Sequence, residues 1–200
     1  PTFRAPREQV QGIIAGGRHA LWSAVEGAED DVQAGAAAAS HRRVGKKDVV
    51  IGIAASGRTP FVWGALHEAR RRGAFTVMLC FNPAMRGAVK RLRGEEQTWA
   101  PDMLLVFDLG PEVLTGSTRL KSGTATKLVL NAVSTLAMVQ SGKVISNLMV
   151  DLNPSNVKLR DRAVRMVAEL TGRSPGEAHT ALTASGWVVK KACERLGLPT

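Results

Sequence analysis

Three short stretches concentrate the residues able to do chemistry. The first is "SAVEGAEDD", in which Glu26 and Glu29 lie three positions apart. On a helix that spacing puts both carboxylates on one face. One of them, its pKa tuned by partial burial, would act as a general acid or base. A solvated acidic helix start uses the same residue types, and spacing does not choose. The second is "IAASGRTP", Ile53 to Pro60, between an apolar run and a helical pattern. A strand-to-helix loop sits at the carboxyl edge of a sheet, where open α/β folds take their ligands. A helix N-terminus adds unpaired N–H groups and partial positive charge. Gly57 admits close approach to the backbone, Ser56 and Thr59 add hydroxyl donors, and Arg58 adds a fixed charge. A phosphate monoester fits that turn; so does an ordinary βα turn with a capped helix. The stretch is neither a Walker loop nor a GxGxxG loop. The third is "GPEVLTGSTRLKSGTATK", Gly110 to Lys127. Here Glu112, Ser117, Thr118 and Lys121 offer either a wall for sugar hydroxyls and phosphate or turn and cap residues.

The remaining reactive side chains are scattered. His19, His41, His67 and His179 have no metal-ligand spacing, and Cys80 and Cys193 match no metal or redox pattern. Both cysteines read as packing residues suited to a reducing cytosol. The 200 residues carry a formal net charge of +10, but the basic residues fall in small groups such as Arg42, Arg43, Lys46 and Lys47. With aromatics at 4% and no Tyr, neither stacking platforms nor a nucleic-acid motif is present. No apolar run reaches the roughly 18 residues of a membrane span, and no signal peptide is visible.

The elements that would hold these stretches read as a parallel α/β domain. Helices are predicted at Arg7 to Ala15 and His19 to Val25, broken by Gly16 and Gly17, then an Ala-rich helix with Glu29, Asp30 and Asp31 near its start. "KKDVVIGIA" is a buried strand. Thr59 is the N-cap and Pro60 the first residue of a helix ended by Gly73, with Phe61, Ala65, Leu66 and Ala69 on its apolar face. "AFTVMLCF" and "DMLLVFD" are further strands, and "KLVLNAVSTLAMVQSG" is a long helix buried on most sides. "KRLRGEEQTWAPD", Lys90 to Asp102, is predicted as a surface loop. Three short helices follow a boundary near Asp151, so the expected domains are 1–150 and 151–200.

Taken in order, "IAGGRHALWSAVEGAEDD", "DVVIGIAASGRTPFVWGALHEARRRG", "EVLTGSTRLKSGTATKLVLNAVSTLAMV" and "SGKVISNLMVDLNPSN" resemble the blocks of the sugar isomerase (SIS) family, in its N-acetylmuramic acid 6-phosphate etherase branch. The resemblance implies a three-layer αβα parallel sheet followed by a ubiquitin-associated-like three-helix unit. It implies elimination of a D-lactyl ether followed by hydration to N-acetylglucosamine 6-phosphate, in cell-wall recycling, without metal or redox cofactor. By residue match Glu29 is one of the two glutamates tied to that chemistry, and Glu26 is its neighbour. Ser56, Gly57, Arg58 and Thr59 would hold the phosphate, with Glu112, Ser117, Thr118 and Lys121 opposite. A cytoplasmic homodimer with no nucleic-acid or membrane partner is expected.

The second glutamate lies in a Glu-Cys-Pro-Pro-Thr-Phe-like segment of the family. Pro1-Thr2-Phe3 matches the end of that segment, so this glutamate would fall just upstream of Pro1. An N-terminal helical region, a first strand and a Gly-Thr-Ser-Gly-Arg-like loop would precede it. A start at Pro without Met is what removal of an initiator Met, or a fragment, would give. The alternative reading is a sugar-phosphate-binding or regulatory protein of the same branch, which includes the glucokinase regulatory protein.

Overall fold

The computed structural model describes residues 3–94 and 100–198, which fall into two compact units. One, Gly12–Leu128, is α/β. Its elements are α1 (Val32–His41), β1 (Val49–Ile53), α2 (Pro60–Arg71), β2 (Phe75–Cys80), α3 (Met85–Gly94), β3 (Met103–Val106) and the start of α4 (Lys121–Gln140). The three strands form one parallel sheet in the order β1-β2-β3. Val49 pairs with Phe75 and Ile53 with Leu79; Val77 pairs with Met103 and Cys80 with Val106. Every parallel strand therefore ends on the same edge, and the turns after β1, β2 and β3 share it.

Burial follows position in the sheet. In central β2 everything from Thr76 to Cys80 is buried, whereas in β1 only Gly52 is. The strand predicted as buried at β1 is thus half-covered, because a strand at the end of the order has a neighbour on one side only. Thr76 tolerates full burial because its hydroxyl and N–H both donate to Asp102 Oδ2 at 2.8 Å, which satisfies the buried polar atoms. Helix α2 begins at Pro60 as the sequence predicts, and Phe61, Ala65, Leu66 and Ala69 are its buried face. Arg72 caps it and Gly73, at φ 86°, turns the chain.

Four further expectations are corrected. Residues 7–15 are not helical and the segment at Gly17–Leu21 is a single 3₁₀ turn. Most of these side chains are exposed, and a short helix with no packed face does not repay its nucleation cost. Glu26 and Glu29 lie in turns ahead of α1, broken by Gly27 at φ 71°, so they share no helix face. The predicted loop from Lys90 is helical through Gly94. Met85 and Val89, four apart, anchor that helix by burial, residues 95–99 lie outside the described set, and Ala100 and Pro101 are buried. Finally, α4 is exposed along most of its length, with Leu128 at 59% and Leu136 at 58%. An apolar helix buries only what neighbours cover, and among the described residues α4 buries just Ser122 and Met138.

The other unit comprises Pro1–Gln11 and Val129–Thr200 and is helical: α5 (Val157–Thr171), α6 (Pro175–Ala184) and α7 (Val189–Arg195). Asn156 caps α5 by accepting from Leu159 N, Gly172 ends it at φ 68°, and Ser174 and Glu177 form a reciprocal capping box on α6. Those local signals place three short helices. Their shared core includes Val150, Leu152, Met166, Val167, Leu182 and Val189. The N-terminal segment joins this unit through Arg4, which donates to Leu152 O at 3.0 Å and Trp187 O at 3.2 Å. Lys143 donates to Phe3 O at 2.7 Å and pairs with Asp151. No helix among the described residues is long and apolar enough to cross a membrane.

Candidate functional site

The turn after β1 is built by backbone bonds that continue the sheet. Ala54 N donates to Leu79 O at 3.1 Å, and Phe81 N donates to Ala55 O at 2.9 Å. Gly57 N then closes the turn onto Ala54 O at 2.9 Å. Gly57 adopts φ 74°, and a Cβ there would lie 2.6 Å from Met85 Cγ, so both conformation and space demand glycine. Two side chains hold carbonyls of the turn. Trp63 Nε1 donates to Gly57 O at 2.8 Å, and Asn82 Nδ2 donates to Ser56 O at 3.1 Å. The sequence reading missed both. Its only available signals were an Asn immediately beyond β2, on the ligand edge of the sheet, and a Trp one turn into α2.

Of the turn's N–H groups, that of Gly57 is taken up by Ala54 O. Arg58 N donates to Ser56 Oγ at 3.1 Å, a partner that an anion can displace. No hydrogen bond engages the N–H of Ser56 or Thr59 among the described residues. Thr59 is the N-cap of α2 by position, but its hydroxyl makes no cap bond; the carbonyl does, accepting from Val62 N and Trp63 N at 3.1 and 3.2 Å. The Thr59 hydroxyl and the exposed Ser56 and Arg58 side chains therefore surround the N-terminus of a 12-residue helix, an arrangement that favours an oxyanion.

Glu29 reaches the same neighbourhood through its backbone. Phe61 N, in the first turn of α2, donates to Glu29 O at 2.9 Å. Two residues on, Asp31 caps α1 by accepting from Ala34 N at 2.8 Å. The Glu29 side chain is exposed rather than partly buried, so its carboxylate faces outward from a peptide anchored at the base of the turn. Glu26, also exposed, has no corresponding tie to α2 among the described residues.

The loop after β3 lies on the same edge of the sheet. The Glu112 carboxylate accepts from Lys121 N at 2.9 Å, Ser122 N at 3.0 Å and Ser122 Oγ at 3.0 Å. It caps α4 from nine positions upstream. The Ser122 and Lys121 amides, aided by the Ser122 hydroxyl, hold its pKa below the usual carboxylate value. Lys121 Nζ turns back to Leu109 O at 3.2 Å and Pro111 O at 2.8 Å. Ser117 accepts from Arg119 Nε at 3.4 Å, and Thr118 O accepts from Gly123 N at 2.9 Å. Glu112 and Lys121 are thus committed to the frame of this loop, while the exposed Thr118 and half-buried Ser117 present hydroxyls. Among the described residues no hydrogen bond or ion pair joins this group to Ser56–Thr59 or to Glu29, and no cluster of three or more His, Cys, Asp or Glu is placed to hold a metal ion.

Comparison with known proteins adds a chemical context. The family model for the glucokinase regulatory protein N-terminal SIS domain matches residues 2–70, which include Glu29 and the whole Ser56–Thr59 turn. The chain is 51% identical over 192 residues to an N-acetylmuramic acid 6-phosphate etherase of Symbiobacterium thermophilum, covering 96% of this chain and 60% of that protein. It is 50% identical over 194 residues to the etherase of Serratia proteamaculans, covering 96% and 61%. The etherase of Rubrobacter xylanophilus is 49% identical over 192 residues, covering 96% and 60%. The chain therefore spans about three fifths of the length of the curated relatives it matches.

Proposed function

We propose, for a chain similar over 96% of its length to N-acetylmuramic acid 6-phosphate etherases, that it carries the sugar-phosphate site of such an enzyme and takes part in the same reaction. The 6-phosphate sits against Ser56, Gly57, Arg58 and Thr59. Glu29 moves a proton at the sugar ring. A base removes the C2 proton, the C3–O bond breaks with lactate leaving as it gains a proton, and water adds across the resulting double bond at C3. The sum is one water consumed, D-lactate released and N-acetylglucosamine 6-phosphate formed. Ser117 and Thr118 line the opposite wall, and Glu112 and Lys121 belong to that wall through the start of α4. Residues 1–150 are assigned the three-layer SIS part, and 151–200 a ubiquitin-associated-like appendage.

The observation that carries this reading is the 2.9 Å bond from Phe61 N to Glu29 O, which anchors a carboxylate-bearing residue at the helix whose N-terminus forms the anion turn. The half-identity to etherases supports the substrate. The solvent-facing Leu128, Val133 and Leu136 of α4 support a homodimer that covers them, and amino-sugar recycling in the cytoplasm follows from the substrate. The test is incubation with N-acetylmuramic acid 6-phosphate and assay for free D-lactate. Lactate release above the no-protein control supports the reading. Thermal stabilisation by the sugar phosphate without lactate favours a second reading, a sugar-phosphate sensor, which the match of residues 2–70 to the regulatory-protein SIS domain independently motivates.

A further inference from the structure

Helices α1 and α2 meet backbone to backbone. A Cβ added at Gly35 would lie 2.0 Å from Phe61 O and 2.8 Å from Phe61 C. A Cβ added at Gly64 would lie 2.0 Å from Val32 O and 2.9 Å from Val32 C. Both obstructions are main chain, so neither can rotate aside, and real Cβ atoms essentially never come closer than 3.0 Å. Either alanine would push the helices apart by about 1 Å, because packed interiors have no slack at that scale. Neither glycine has a positive φ, so close approach, not backbone conformation, is what requires them.

Phe61 stands at the centre of this crossing. Its N–H donates to Glu29 O at 2.9 Å, and its C=O is the group that Gly35 admits. Glu29 lies two residues before the cap of α1, and the Ser56–Thr59 turn runs directly into α2. The separation of the two helices therefore fixes the separation of the proton-transfer residue from the phosphate site. We propose that Gly35 and Gly64 are positioning residues, whose absent side chains set Glu29 against the phosphate-binding turn through the Phe61 peptide. This rests on the etherase reading for its chemistry but makes a geometric claim of its own.

The test uses Gly35→Ala and Gly64→Ala in the full chain, with Gly87→Ala as control, since a Cβ there meets nothing within 4 Å. Displacing a reacting group by about 1 Å costs on the order of 10²-fold. The expected result is a kcat for lactate release lowered about 10²-fold in both variants, with the dissociation constant for N-acetylglucosamine 6-phosphate changed less than about threefold, because each half-site stays whole. Amide exchange at Phe61 should accelerate in both, and the Gly87 variant should match wild type throughout. Folded variants that keep kcat within about twofold, or whose kcat and binding capacity fall together in proportion to unfolded protein, overturn the proposal. Should neither variant fold, exchange in the wild-type chain decides: the proposal requires a Phe61 amide as protected as the middle of α2, and rapid exchange overturns it. If the wild-type chain binds the sugar phosphate yet releases no lactate, the etherase reading fails by itself. The positioning claim then stands or falls on whether the ligand slows Phe61 exchange in wild type and not in the alanine variants.

Discussion

Replacing Trp63 by Phe removes one hydrogen bond of the Ser56–Thr59 turn. The ring packs beside Cys80, Met85 and Val89, and Phe retains most of that contact while losing the Nε1 donor. The lost bond, 2.8 Å long to Gly57 O, holds the carbonyl of the Gly57–Arg58 peptide against Trp63 of α2, while the N–H of the same peptide lies 3.1 Å from Ser56 Oγ. A protein hydrogen bond is worth about 1 kcal/mol net. If all of it serves to preorganise the turn, affinity for the phosphate falls about fivefold. The same loss, with a slightly smaller ring, lowers the melting temperature by about 2–4 °C for each kcal/mol in a chain of this size. Titration calorimetry with N-acetylglucosamine 6-phosphate reads the first quantity and a thermal melt the second, with unphosphorylated N-acetylglucosamine as the reference ligand. The expected outcome is a weaker phosphorylated ligand and an unchanged reference. A melting temperature that falls while the sugar-phosphate dissociation constant stays at the wild-type value would refute the reasoning, because the bond would then serve the core and not the site.

Further outcomes follow from the same geometry. Glu29→Gln keeps the backbone carbonyl that Phe61 uses and removes the ionisable oxygen; lactate release should fall at least about 10²-fold with sugar-phosphate binding retained, as paired kinetics and calorimetry will report. Glu112→Gln weakens the cap on α4. Because the folded pKa of Glu112 is depressed below its ordinary 4.5, its stabilisation is complete above that pH and is lost as pH falls through the folded value. Melts of wild type and variant should therefore differ at pH 7 and converge in strong acid. Burial raises the thiol pKa of both Cys80 and Cys193, in Cys80 against the opposing Asn82 amide and Arg86 charge; a thiol reagent at pH 8 should label neither until denaturant opens the chain.

Much of the frame was legible from residue order because its signals are local. The Val-Val-Ile run of β1, Pro60 opening α2, Gly73 closing it and the three short C-terminal helices each depend on a few adjacent residues. The Ser56–Thr59 turn was legible for the same reason: glycine, hydroxyls and a helix start are all within one turn. Residues 7–15 misled because a helical pattern was read where no partner supplies a packed face. Helix α3 was missed because its highly charged sequence hides a narrow apolar stripe, Met85 and Val89.

What residue order left open were relations between distant segments. Glu112 reads equally as a ligand-binding acid or a cap until its carboxylate is seen on the amides of Lys121 and Ser122. Trp63 and Asn82 look like ordinary helix and turn residues until they meet Gly57 and Ser56. Gly35 looks like one small residue among alanines until Phe61 O is found against it. Local pattern depends on backbone torsion and side-chain period, which neighbours in sequence dictate. A bond or a close approach between segments, whether 6 residues apart as for Trp63 and Gly57 or 26 apart as for Asn82 and Ser56, depends on where packing carries each segment, and only the folded chain holds those coordinates.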